Sequence, residues 1–281
     1  MLRAWTGTLL CVVGGLRSGT GVAVLASVLL ATPAMALTMP ARSLTARAGG
    51  PEYRGIDVSA YQHLRQARID WARVRGDSIR FAAIKATEGT YYVNPFYASD
   101  ARAALRAGLY VAPYVFANPH ESGGARQARY AVEHTGYRWR GHMLPLELDM
   151  EPDPYARREH VNACYGLSKK KMVAWIAAFS AETRRLTGRG PLIYTTASWW
   201  RPCTGGSGAL RSDPLWVAAY GISRPEMPAG WSRWTFWQYR NAAQVRGVFY
   251  RGGANLDFGP CRLPGLLNQR HHRHRKHRHR R

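Results

Sequence analysis

From Tyr53 onward, short apolar runs alternate with stretches whose apolar residues recur at helical spacing. Strand-like runs fall at Gly55–Ser59, Arg80–Ala86, Leu109–Phe116, Leu144–Met150, Leu192–Thr196, Leu215–Tyr220, Thr235–Tyr239 and Ala254–Phe258. Between the early ones the spacing predicts helices over Ile69–Val74, Pro95–Ala107, Gly124–Thr135 and Lys169–Leu186. The last carries Met172, Trp175, Ile176, Phe179 and Leu186 at helical spacing, with Ser168 as N-cap and Gly188 beyond its end. Such alternation over about 210 residues predicts an α/β fold with a largely parallel sheet. Eight strands point to a closed barrel rather than a doubly wound sheet. Helical patterns thin out after Leu186, so the last third of the barrel is expected to be irregular.

The flanks read differently. Residues 1–36 hold two cations, Arg3 and Arg17, no acid, an apolar run over Gly21–Leu30 and the small-residue signature Ala34-Met35-Ala36. This order is that of a secretory signal peptide, so a secreted, extracellular protein is expected. Residues 37–52 form a Pro/Gly/Ala/Arg linker, and residues 266–281 a basic His/Arg tail too polar to fold. The chain has a formal net charge of +23. The leader contributes two of those charges and Arg270–Arg281 seven, which leaves +14 on residues 37–269. An exported cation meets anionic cell-wall polymers before nucleic acid, so the tail is read as a tether to such polymers and no nucleic acid is expected. Without its leader the chain keeps Cys164, Cys203 and Cys261. Three pairings are open, and Cys164–Cys203, which flank a helical segment and a strand, is preferred.

In a chain with 17 acids against 40 bases, the positions of the acids are informative. The run Leu144-Pro145-Leu146-Glu147-Leu148-Asp149-Met150-Glu151-Pro152 ends in carboxylates two residues apart, and strand alternation puts Asp149 and Glu151 on one face. Two carboxyls this close cannot both ionise easily, so one pKa rises, as a general acid requires. Glu147 shares the parity at greater depth. Asp57 ends the first strand, Glu88 follows the second, and Asp257 falls in the last. The C-terminal mouth of a parallel barrel is where such groups converge. Acids together with many aromatics fit carbohydrate cleavage. Of the aromatics, Tyr114 and Trp237 are expected to line the cleft with Glu88. His63, His120, His134, His142 and His160 lack ligand spacing, and no nucleotide-binding glycine motif occurs. No metal and no other cofactor is therefore expected.

The motifs GIDVSAYQ, FAAIKATEG, LYVAPYVFA, LELDMEP, CYGLS, LWVAAY, FWQY and NLDFG appear in an order that resembles glycoside hydrolase family 25 lysozymes. The resemblance covers about Tyr53 to Cys261, and the catalytic unit is drawn as 53–265. It implies a modified TIM-like (β/α) barrel of about eight strands with fewer helices. It also implies an N-acetylmuramidase that cuts the β-1,4 bond between N-acetylmuramic acid and N-acetylglucosamine in peptidoglycan. By similarity Glu151 is the general acid and Asp149 its partner, while Asp57 and Asp257 complete an acidic mouth. Val115 stands where many members carry His. Two routes remain at the anomeric centre: participation of the substrate's acetamido group, or attack by an activated water. Neighbours on one strand cannot easily straddle a sugar ring, which favours the first. A monomer is expected. The competing readings are a chitinase-like enzyme, a non-catalytic cationic wall-binding protein and a membrane-permeabilising one.

Overall fold

Alternation of inward and outward side chains builds the fold strand by strand. In this computed structural model residues 53–138, 141–260 and 263 are described. The leader, the linker, the basic tail and Cys261 lie outside them. The strands are β1 (Tyr53–Val58), β2 (Ile79–Glu88), β3 (Tyr92–Val93), β4 (Tyr110–Phe116), β5 (Glu147–Asp149), β6 (Leu192–Thr195), β7 (Leu215–Ala218), β8 (Phe236–Ala243) and β9 (Ala254–Gly259). All eight anticipated runs are strands, and β3 is a short hairpin partner of β2. The helices are α1 (Trp71–Gly76), α2 (Tyr97–Arg106), α3 (Gly124–Thr135), α4 (Lys169–Thr187) and α5 (Ala197–Thr204), with a 3₁₀ segment at Ala60–Gln66. The helix α5, which carries Pro202, lies in the stretch after Leu186 where no helical pattern was expected. It forms because Thr196 caps Trp199 N at 3.1 Å and Gly205 closes it in a left-handed turn.

The sheet runs β1-β9-β8-β7-β6-β5-β4-β2 and closes where β2 pairs with β1. Every pairing from β1–β2 round to β7–β8 is parallel. The sheet is thus largely parallel, as expected, and β9 is the exception, antiparallel to both β8 and β1. A parallel return needs a crossover of about a dozen residues or more, usually helical. The link between β8 and β9 is shorter than that and turns through Gly247 and Gly253 at positive φ, so the chain returns as a hairpin.

Rings fill the floor of the barrel. Phe236 stacks on Trp216 at 4.7 Å, and Phe81 meets both edge-on at 5.1 and 5.9 Å. Outside, α1 and α2 cover β1 and β2 through Trp71, Val74, Ala101 and Ala104. Helices α3 and α4 cover β4 to β6 through Ala128, Ala131, Ile176 and Phe179. A disulfide joins Cys164 and Cys203, with Cα atoms 5.3 Å apart, and fastens the loop after β5 to α5. No helix among the described residues is long and apolar enough to cross a membrane.

Gly55 shows how tightly the floor is packed: a Cβ there would lie 2.1 Å from Phe81 Cε2. Gly55→Ala must displace the ring, and overpacking of this kind costs about 1–3 kcal/mol. The expected result is a Tm lowered by roughly 3–10 °C in thermal unfolding. An unchanged Tm would show that the floor can yield.

Candidate active site

The mouth above this floor is built by parity. In β5 and its flanks, Leu146, Leu148 and Met150 pack outward against α3 and α4, so Glu147 and Asp149 point inward, both buried. Glu151 follows the end of the strand and is half-buried. In β1, Ile56 and Val58 face outward, which leaves Asp57 inward. There Asp57 Oδ2 accepts from Gln238 Nε2 at 2.5 Å and Oδ1 from Asn255 Nδ2 at 2.9 Å. Asp57, Asp149, Glu147 and Glu151 all act electrostatically on Tyr114, which projects from β4 among them.

Burial dominates the protonation of these groups. It raises Glu151 to about 6, aided by the charge of Asp57 and opposed by Lys85. Asp149 lies well above the usual range, from burial first and then the Glu151 charge, again opposed by Lys85. Asp57 rises to about 6 by burial, although the bonds from Asn255 and Gln238 pull the other way. Glu147 is raised well above normal by burial and by Asp149. Tyr114 stays a neutral phenol for the same reason. The Glu151 charge opposes ionisation of Asp149, so the two carboxyls are raised together.

Two anticipated residues sit elsewhere than strand ends suggested. Asp257 is in mid-strand, fully buried, level with Gly55 and Gln238. Its Oδ1 accepts from Trp216 Nε1 at 2.9 Å, while Oδ2 meets no donor among the described residues. Burial first, and then the charge of Asp57, push its pKa well above the usual carboxylate range. Because β9 runs antiparallel, Asn255 rather than Asp257 reaches the level of Asp57. Trp237 is corrected outright. It does not line the cleft, because Gln238 takes the inward position of β8. The Trp237 ring packs outside with Leu215 and Val217, and its Nε1 donates to Ala219 O at 2.8 Å.

Glu88 is at the mouth but already engaged. Its Oε2 accepts from Lys85 Nζ at 2.5 Å, and Oε1 from Tyr91 Oη at 2.7 Å and Tyr155 Oη at 2.5 Å. Burial works against ionisation here, yet these donors outweigh it and hold Glu88 below the usual range. Sequence reasoning missed Lys85, Asn255, Gln238, Tyr194 and Tyr220. Gln238 Oε1 accepts from both Tyr194 and Tyr220 phenols, which aims its amide at Asp57. The available signal was polarity inside apolar runs: Lys85 in IKATE and Gln238 in FWQY. No group of three or more His, Cys, Asp or Glu among the described residues is placed to hold a metal ion.

Residues 56–248 match the model of the glycosyl hydrolases family 25. The chain belongs to that family. It is 41% identical over 197 residues to Lysozyme M1 of Streptomyces globisporus, covering 69% of this chain and 64% of that one. It is 41% identical over 201 residues to an N,O-diacetylmuramidase of Chalaropsis sp, covering 69% of this chain and 90% of the relative. The structure of the bacterial lysozyme from Streptomyces coelicolor superposes with a TM-score of 0.70 at 37% identity, over 78% of this chain and 97% of that one. The chain thus spans just under two thirds of the Streptomyces globisporus relative. The family 25 assignment and the closed mixed barrel agree with the resemblance carried by the motifs.

In this family 25 barrel the raised carboxyls make folding favour protonation. Their contribution is fully present below the ordinary values of 3.8 and 4.5, and is lost as pH rises through the folded values, about 6 for Asp57 and Glu151. Glu147→Gln makes one buried group permanently neutral. Its Tm is expected to exceed that of the wild type near pH 8 and to match it near pH 4. Equal effects at both pH values would show that Glu147 is not held protonated by burial.

Proposed function

We propose that the chain is a secreted muramidase that hydrolyses the β-1,4 bond between N-acetylmuramic acid and N-acetylglucosamine in peptidoglycan. The observation that carries this reading is the Asp149–Glu151 pair at the end of β5, whose burial raises both carboxyl pKa values. The printed activities of the relatives, lysozyme and N,O-diacetylmuramidase, agree with it. Their similarity and the intact carboxyl set disfavour a purely binding role.

Glu151, the more accessible of the pair, protonates the leaving glycosidic oxygen. Positive charge then develops at C1 and the ring oxygen, where Asp149 stabilises it. Asp149 Oδ1 is buried and accepts no hydrogen bond from the described residues. An acetamide N–H of the substrate suits that atom, and the bond favours the ionised form of Asp149. So steered, the acetamido oxygen attacks C1 as the glycosidic bond breaks. Water then opens the cyclic intermediate, giving its proton to the Glu151 carboxylate. Two displacements at C1 retain configuration. Lys85 keeps both catalytic pKa values from rising further. Export follows from the leader, and residues 266–281 tether the enzyme to anionic wall polymers.

Glu151→Gln is expected to lower wall clearing, measured as turbidity loss, by about 10²-fold or more with the fold intact. Wild-type activity should decline as pH rises through about 6, where Glu151 ionises. Retention at C1, read by NMR of the first product, is expected, and inversion would exclude acetamido participation. Deletion of Arg270–Arg281 should weaken adsorption to wall at low salt while leaving the cleavage of soluble fragments unchanged.

A further inference from the structure

A cleft of about 450 Å³ opens beside the acidic mouth, and the mechanism above does not use it. Its walls come from three loops that follow strands. Tyr91 lies between β2 and β3, His120 and Glu121 between β4 and α3, and Tyr155, Arg158 and Glu159 between β5 and α4. The cleft adjoins the carboxyl ring through Glu88, whose Oε1 accepts from both Tyr91 and Tyr155.

The cleft offers charges of both signs. Arg158 stacks its guanidinium 4.5 Å above the Tyr155 ring and remains 72% exposed, so most of its donors face outward. Hydrogen bonds from Ser122 and Thr90 outweigh burial and keep Glu121 ionised. Glu159 Oε1 accepts from Arg158 at 3.3 Å. Its Oε2 is buried, 3.9 Å from His120 Nε2, and takes no hydrogen bond among the described residues.

An alternating chain of N-acetylated sugars has little use for such a wall. It carries no charge once its lactyl groups are amidated, and it would seek bare aromatic faces, whereas Arg158 already covers Tyr155. The stem peptide of peptidoglycan does carry both carboxylates and amines. A muramidase cuts at C1 of N-acetylmuramic acid, so the sugar next to Glu151 is the one whose O3 lactyl group bears that peptide. The peptide must leave the catalytic mouth across one of its bordering loops.

We propose that this cleft binds the stem peptide of the muramoyl residue undergoing cleavage, with Arg158 receiving a peptide carboxylate and Glu159 Oε2 an ammonium or amide N–H. This rests on the muramidase reading and adds to it the element that selects peptide-bearing chains. Neither Arg158 nor Glu159 belongs to the catalytic set, and Arg158 lies in an exposed loop position, so substitution should leave the barrel intact.

The test compares kcat/KM on soluble glycan strands carrying their peptides with the same strands stripped by an N-acetylmuramoyl-alanine amidase. The wild type is expected to favour the peptide-bearing strands by about fivefold or more, the scale of two partly exposed charged contacts. The double variant Arg158→Ala/Glu159→Gln should lose that preference and keep the wild-type rate on stripped strands. Equal wild-type rates on both substrates, or a preference that survives the double variant, would overturn the cleft assignment while leaving the muramidase reading in place. Failure of the wild type to cut either substrate would overturn both.

Discussion

Ionising one carboxyl in the mouth of this barrel makes ionising the next more costly. Glu147, Asp149, Glu151, Asp57 and Asp257 project toward one lumen whose floor is closed by Phe81, Trp216 and Phe236, and burial is the leading cause of the raised pKa of each. The floor matters as much as the acids. Water admitted from below would solvate the carboxylates and return them toward ordinary values.

Lys85 sets the opposite limit. It enters from β2, pairs with Glu88 at 2.5 Å and lies 4.5 Å over the Phe116 ring. Its charge lowers both Asp149 and Glu151, which keeps Glu151 near 6. Glu88 in turn is held ionised by Lys85 and two tyrosines. It acts on the site by fixing the ammonium and by tying the loops after β2 and β5 together, the same loops that wall the neighbouring cleft.

The antiparallel last strand gives the mouth its asymmetry. Had β9 run parallel, Asp257 would stand among the exposed ends of the other strands. Reversed, it lies below Asp57, while Asn255 occupies the upper level and donates to Asp57. Gln238 reinforces the arrangement, since two phenols on its oxygen leave only its amide to face Asp57.

Much of this was legible in the chain itself. Eight strands and four helices follow from local periodicity, and the shared face of Asp149 and Glu151 follows from strand alternation, because both depend only on near neighbours in sequence. Parity alone does not say which side of a strand is inside. Trp237 and Gln238 alternate correctly in either orientation, and only closure of the sheet put the glutamine within and the tryptophan outside. The direction of β9 and the partners of Glu88 and Asp57 were likewise set by tertiary structure. Each depends on groups that are remote in sequence and brought together when the barrel closes, with water excluded from between them.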